Sequence, residues 1–302
     1  MSLAAMLLIV VSAITHAAWN FLGKREKPSS ALFLIATLMG GLLMLPVVFW
    51  FHDRYTQIPS AVIQLLVITG LFQAMYFGTL AAAYCSGDMS LVYPLARSVP
   101  TLLVTGIALI MGTGHAISNL CLAGIFLVVA GCTILPLRHF RGLEPKSYLN
   151  TCCLLAMFAA IGTAGYMVID KQALSLLCDG DHASFSKVEA ALIYAPLEIL
   201  STAVWLGIYV VARSSERRSF GHVLRSTKTQ ALLMGAGIYG AYTLVLVAMT
   251  FATHVSYVMA FRQLSIPLGA SLGIMILKEP SPWPKRLGVA TVFAGVVLVG
   301  LG

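Results

Sequence analysis

Charge is what this chain has least of. Asp, Glu, Lys and Arg make up 10% of its 302 residues and apolar types 59%, where a water-soluble domain carries roughly a quarter charged. A polar shell around a soluble core cannot be built from that supply. Long hydrophilic stretches are also missing: the longest connections between apolar runs, 170–186 and 212–228, leave no room for a soluble domain. The six cysteines, Cys85, Cys121, Cys132, Cys152, Cys153 and Cys178, show no C-x-x-C spacing and read as small buried hydrophobes. There is no G-x-S-x-G, no H-E-x-x-H, no P-loop, no Gly-rich dinucleotide turn and no pair of membrane carboxylates spaced for a metal. The expectation is a protein that is not an enzyme and holds no cofactor or metal.

What is present is a series of apolar runs. A bilayer core of roughly 30 Å needs about 20 such residues per helix, and ten segments qualify, at 2–22, 31–51, 59–84, 89–111, 117–135, 148–169, 187–211, 229–252, 255–277 and 287–301. The fold expected is therefore an all-α, multi-pass protein of a cell (inner) membrane, with the lipid bilayer as its solvent. The first segment lacks a basic start and is followed by Lys24-Arg25-Glu26-Lys27, so it reads as a retained span. The formal charge of +8 is spread over short loops, as beside a membrane's cytoplasmic face, and does not point to nucleic acid. Lys and Arg number about 14 in the loops after segments 1, 3, 5, 7 and 9 and about 3 in the others. This count puts the odd-numbered loops in the cytoplasm and both termini outside.

The chain is also written twice. ITHAAWNFLGK at 14–24 aligns with IGTAGYMVIDK at 161–171, pairing Ile14 with Ile161, Ala17 with Ala164, Trp19 with Tyr166 and Lys24 with Lys171 at one offset. Ser98-Val99-Pro100 with Gly106 answers Ser265-Ile266-Pro267 with Gly273, and Gly124 to Gly131 has the spacing of Gly288 to Gly295. The halves are 1–142 and 143–302, with five spans each. An odd number of spans makes the second copy enter the membrane from the opposite side, so the repeat is inverted. Inverted repeats enclosing a midplane site are a common construction of secondary transporters.

H-A-A-W-N followed by Lys24, YPLAR with a proline, RQLSIP with Gly273, LKEP, and RLGVATVFAGV in the last segment together resemble the EamA-type family of the drug/metabolite transporter superfamily, over essentially the full chain. The resemblance implies two EamA repeats of five helices around a central cavity, and movement of small metabolites, often export of amino acids or related compounds. Two features depart from the family pattern. A glutamate just after the fourth helix of each repeat has a match in Glu279 but none in the first half, which reads GTGHAIS. The family also usually has both ends in the cytoplasm, opposite to the loop count.

Ionisable residues inside spans are rare and tend to face a cavity, a partner or a pathway, because an arginine at the centre of a lone membrane helix costs roughly 3 to 10 kcal/mol. Arg97 is eight or nine residues into its segment and Arg262 about seven into its own. On straight helices they would lie on either side of the midplane and point roughly 200° apart relative to their prolines. Each can snorkel or can bind a carboxylate or phosphate of a substrate through paired N–H donors. Arg97 is favoured for binding, because Tyr93 lies one turn before it and Pro94 loosens the helix. Glu198, two residues after Pro196, is the one carboxylate assigned to membrane depth. It is a candidate for proton coupling, with a proton as co-substrate, or for a structural ion pair with either arginine. His16, Trp19 and Asn20 share a face and can form a cavity wall, extended by Gln73, Tyr76, Tyr242 and Gln263; packing explains each of these as readily. Gly40-Gly41, Gly235/Gly237/Gly240 and Gly269/Gly273 are read as close helix approaches. The function these readings favour is alternating-access export of small polar or zwitterionic metabolites, with lipid-headgroup flipping as the alternative. Oligomeric state is left open between monomer and homodimer.

Overall fold

The computed structural model describes residues 3–23, 28–86, 89–110, 112, 117–134, 137, 150–178, 185–268 and 281–302. Among them there is no strand. The helices are α1 (Leu3–Gly23), α2 (Ser30–Leu43), α3 (Leu45–Trp50), α4 (Ser60–Ser86), α5 (Met89–Ile110), α6 (Asn119–Ile134), α7 (Thr151–Cys178), α8 (Lys187–Ala212), α9 (Ser214–Ser226), α10 (Lys228–Thr250), α11 (Val255–Arg262) and α12 (Trp283–Leu301), with a 3-10 turn at His52–Gln57. Five of them, α4, α7, α8, α10 and α12, are long and apolar enough to cross a membrane, and shorter apolar helices accompany them. The protein is an all-α protein with the helices of a membrane-embedded chain.

Helix starts are set by local chemistry. The Ser29 hydroxyl accepts the Leu32 N–H at 3.1 Å to begin α2, and Asn150 Oδ1 accepts the Cys153 N–H at 2.8 Å to begin α7. Ser186 and Glu189 form a reciprocal capping box at α8. Pro46 near the start of α3 breaks the second apolar segment at Met44, so the expected single span is two helices. The sixth segment departs furthest from expectation, since it does not stop at residue 169 but continues as α7 to Cys178. Ala173, Leu174 and Leu177 continue the buried stripe begun by Tyr166 and Met167, and this buries Asp170 completely. The ninth segment is interrupted after Arg262, with Gln263 and Leu264 in a turn before a short helical stretch at 265–268. Residues 269–280, with Gly269, Gly273 and Glu279, and the boundary at 142/143 lie outside the described residues.

The helices are apolar outward and polar inward. On α8 the exposed stripe is Leu200, Val204, Ile208 and Val211, while Tyr194, Glu198 and Thr202 are buried on the opposite face. That is the reverse of a water-soluble helix and suits a hydrocarbon solvent. The main packings pair α4 with α7, α1 with α10, α6 with α12, α2 with α10, α4 with α8, α5 with α7 and α2 with α8. Backbones approach closely at glycines. A Cβ on Gly124 would meet the Gly295 carbonyl oxygen at 2.7 Å, one on Gly295 the Gly124 carbonyl at 2.6 Å, and Gly40 and Gly235 bring α2 and α10 together in the same way. Gly240, expected to do likewise, has open space beside it.

Candidate functional site

The buried ionisable groups gather into two neighbouring clusters, one of carboxyls and one of cations. Asp170 of α7 is fully buried and accepts hydroxyl protons from three other helices: Thr69 Oγ1 of α4 at 2.6 Å and Tyr194 of α8 at 2.8 Å on Oδ1, and Tyr242 of α10 on Oδ2. One turn along α8 from Tyr194, Glu198 is 1% exposed and lies within hydrogen-bonding reach of Asp170. Its Oε1 accepts from the Gln73 amide, and the Gln73 Oε1 in turn accepts the Thr202 hydroxyl at 2.6 Å. Glu198 Oε2 has no hydrogen-bond partner among the described residues. Thr69 and Gln73 are four apart on α4, and Tyr194, Glu198 and Thr202 are four apart on α8, so each helix offers one face to the pair.

The cations lie on the other side of Tyr242. Arg97 of α5 is 8% exposed, and its Nη2 donates to Ser265 Oγ at 2.7 Å. That hydroxyl donates onward to the Arg262 carbonyl at 3.0 Å. The carbonyl is available because the ninth segment breaks there: the Ile266 N–H bonds to Gln263 instead. Gln263 Nε2 donates to the Arg97 carbonyl at 2.8 Å and to Thr101 Oγ1 at 3.2 Å, fastening the broken segment to α5. The Arg262 guanidinium points at Met167 Sδ, 3.1 Å from Nη1, and its central carbon is 5.4 Å from the Tyr242 ring centroid. Both arginines act electrostatically on His16, whose helix is joined to α10 by Ser12 Oγ donating to the Ala241 carbonyl at 2.7 Å. Tyr76, Tyr166 and Tyr242 form a row of edge-on rings, with centroids 6.0 and 5.5 Å apart, that reaches both clusters at Tyr242.

Of the residues singled out in the sequence, Arg97, Gln263, Tyr242, Gln73 and Glu198 are buried and Arg262, His16 and Tyr76 half-buried in one connected region. The side chains of Tyr93, Trp19 and Asn20 lie outside the described ones. Two expectations are corrected, and a third loses its premise: the turn at Gln263 and Leu264 replaces the straight helix on which the separation of the two arginines rests. Glu198 meets Gln73 and Asp170, not a direct ion pair with either arginine; Arg262 reaches it only as a longer-range field. Nor is it the one carboxylate at depth: Asp170 reads in the sequence as the start of a loop because Lys171 follows it, and two adjacent charges look like a membrane boundary. The usable signal was the apolar stripe running on to Leu177. Lys171 itself turns back to donate to the carbonyls of Met249 and Ala252, both at 2.9 Å, at the end of α10.

No family model matches the chain, and no curated protein matches it. Among solved structures, one crystal structure of a protein is similar with a TM-score of 0.70, covering 100% of this chain and 98% of its own at 15% identity. The likeness at that identity is one of fold, and it extends from end to end.

Proposed function

We propose that this chain is a secondary active transporter of the EamA-type drug/metabolite transporter kind, exporting small polar or zwitterionic metabolites by alternating access between two inverted five-span halves. The observation that carries the reading is the meeting of Arg97 and His16 from the first half with Arg262, Glu198 and Asp170 from the second at a shared buried site. Ionisable groups at membrane depth cost several kcal/mol when unused, and here both signs are gathered where the halves touch. An anionic group of the solute suits the guanidinium of Arg97 or Arg262, an amine or a proton suits the carboxyls, and the tyrosine edges suit its body.

The packing supports the inverted repeat. Exchanging each span for its counterpart five further on turns α4 on α7 into α10 on α1, and α2 on α10 into α8 on α4, while α6 on α12 and α2 on α8 map onto themselves. Two-fold reciprocity of this kind is what a duplicated unit predicts. Contacts between chain ends and loops also join loops of one parity: Cys85 with Pro28, Glu216 with Ala31, Arg54 with Glu189, and Lys187 with Phe251.

The test is transport by purified protein in proteoliposomes, with and without a proton gradient, against pooled amino acids and related zwitterions, with fluorescent lipids alongside. Gradient-dependent solute movement is expected. Lipid movement without solute movement would replace this reading with a flippase. Arg97→Ala should weaken solute affinity roughly ten- to hundredfold, the loss of a charge-assisted hydrogen bond of about 1.5–3 kcal/mol, and Arg97→Lys should not restore it, since an ammonium lacks the paired donors.

A further inference from the structure

We infer that Asp170 and Glu198 form a single proton-binding site that holds one exchangeable proton between them. Each carboxylate oxygen offers about two acceptor sites. Asp170 Oδ1 is filled by Thr69 and Tyr194, and Oδ2 receives Tyr242, leaving one acceptor site on a carboxylate that Glu198 neighbours. Glu198 Oε1 receives Gln73, and Oε2 receives nothing from the described residues. The chain of donation runs one way, from Thr202 to Gln73 to Glu198, with Thr69, Tyr194 and Tyr242 aimed at Asp170. These donors point toward the pair, the Tyr242 hydroxyl having Met167 Sδ at 3.6 Å as a second acceptor, and one proton shared between Glu198 and Asp170 would satisfy both remaining positions.

With no proton, two carboxylates would stand side by side at 0% and 1% exposure with one oxygen unpaired, a costly arrangement away from water. With two protons, one would be left without an acceptor, since Asp170 already receives three hydroxyls. Other titratable or charged groups facing the pair are Tyr194 on α8, Tyr239 and Tyr242 on α10 and Arg262 at the end of α11. Opposite them, α4 contributes the neutral Thr69 and Gln73, and α2 has no charged residue. Arg262 acts from beyond Tyr242 and does not enter the pair. The use of this proton to drive transport rests on the function proposed above; its existence and number do not.

The experiment is a pH titration of the full-length protein in detergent, following the infrared carbonyl absorption of protonated carboxyl groups and the number of protons released per chain. Above about pH 6, where exposed carboxyls are already ionised, the wild type should lose one such group as pH rises, and Glu198→Gln should abolish that loss. The glutamine keeps the shape and turns an N–H toward Asp170, so the variant should fold with the wild-type melting temperature. Asp170→Asn provides the second reading: if the carboxyls share the proton, the titration should move by more than about one pH unit. A carboxyl signal that survives Glu198→Gln, release of two protons, or an Asp170→Asn titration identical to wild type would each overturn the pair. No substrate is needed, so proteoliposomes that move no solute would defeat the transporter reading while leaving the proton count standing.

Discussion

His254 shows how a single side chain can tie local structure to solution conditions. It lies between α10 and α11, outside the spans, and its Nδ1 accepts the Ser256 N–H at 3.2 Å as the cap of α11. Burial, and secondarily the charge of Lys171, pull its pKa below the ordinary 6.5. The unfolded chain therefore takes up a proton where the folded chain does not, so this contribution to stability is intact above about pH 6.5 and is lost as pH falls below it. The cap disappears with it, because a protonated Nδ1 no longer accepts. Protection of the Ser256 amide against hydrogen exchange should fall as pH drops through the lowered pKa of His254, below the ordinary 6.5, and His254→Asn, which caps without titrating, should remove the dependence. At this scale the sequence was partly legible. Arg97, Arg262, His16 and Glu198 stand out because charge amid apolar residues is conspicuous, whereas Asp170 was hidden by Lys171, and the three hydroxyls that bind it are ordinary residues until the fold brings them together.

Among the elements, α6 and α12 cross at glycines whose spacing the sequence repeats in its two halves. Gly124 and Gly131 face Gly295 and Gly288, with reciprocal carbonyl contacts that leave no volume for a side chain. Gly124→Leu should destabilise the protein by about 1–3 kcal/mol through overpacking. Gly106→Ala is the control: nothing lies within 4 Å of that position, and the gain in helix propensity is up to about 1 kcal/mol. Melting temperatures in detergent should move in opposite directions. The repeated glycine spacing reads in the sequence only as a sign of duplication and not as a crossing, whereas helix positions were readable because apolar length sets them. The breaks were not, since hydropathy averages over a window: Pro46 divides a run that is uniformly apolar, and the interruption after Arg262 depends on Ser265 and Gln263 finding partners on α5.

For the molecule as a whole, the loop contacts make a prediction about sidedness that is independent of charge counting. Glu216 Oε2 accepts the Ala31 N–H at 3.0 Å and Cys85 approaches Pro28, while Arg54 lies 3.5 Å from Glu189. In a Cys85→Ser background, a membrane-impermeant thiol reagent should reach Ser215→Cys from one side of the bilayer and Asp53→Cys from the other. Labelling of both from the same side would defeat the ten-crossing arrangement. By the positive-inside rule the cationic α9, carrying Arg217, Arg218 and Arg225, predicts that Ser215→Cys is labelled from the cytoplasmic side.

Pro196 sits two residues before Glu198 and cannot supply the N–H that the Leu192 carbonyl would otherwise receive. Should the carboxyls be stripped of their common hydrogen, the hydroxyls and amide around them are already committed and have nothing further to give. Mutual repulsion would then act on the weakest point of the backbone nearby, and α8 would bend away from α7 at its proline. In that way the loss of one hydrogen nucleus would be converted into a bend of α8 away from α7.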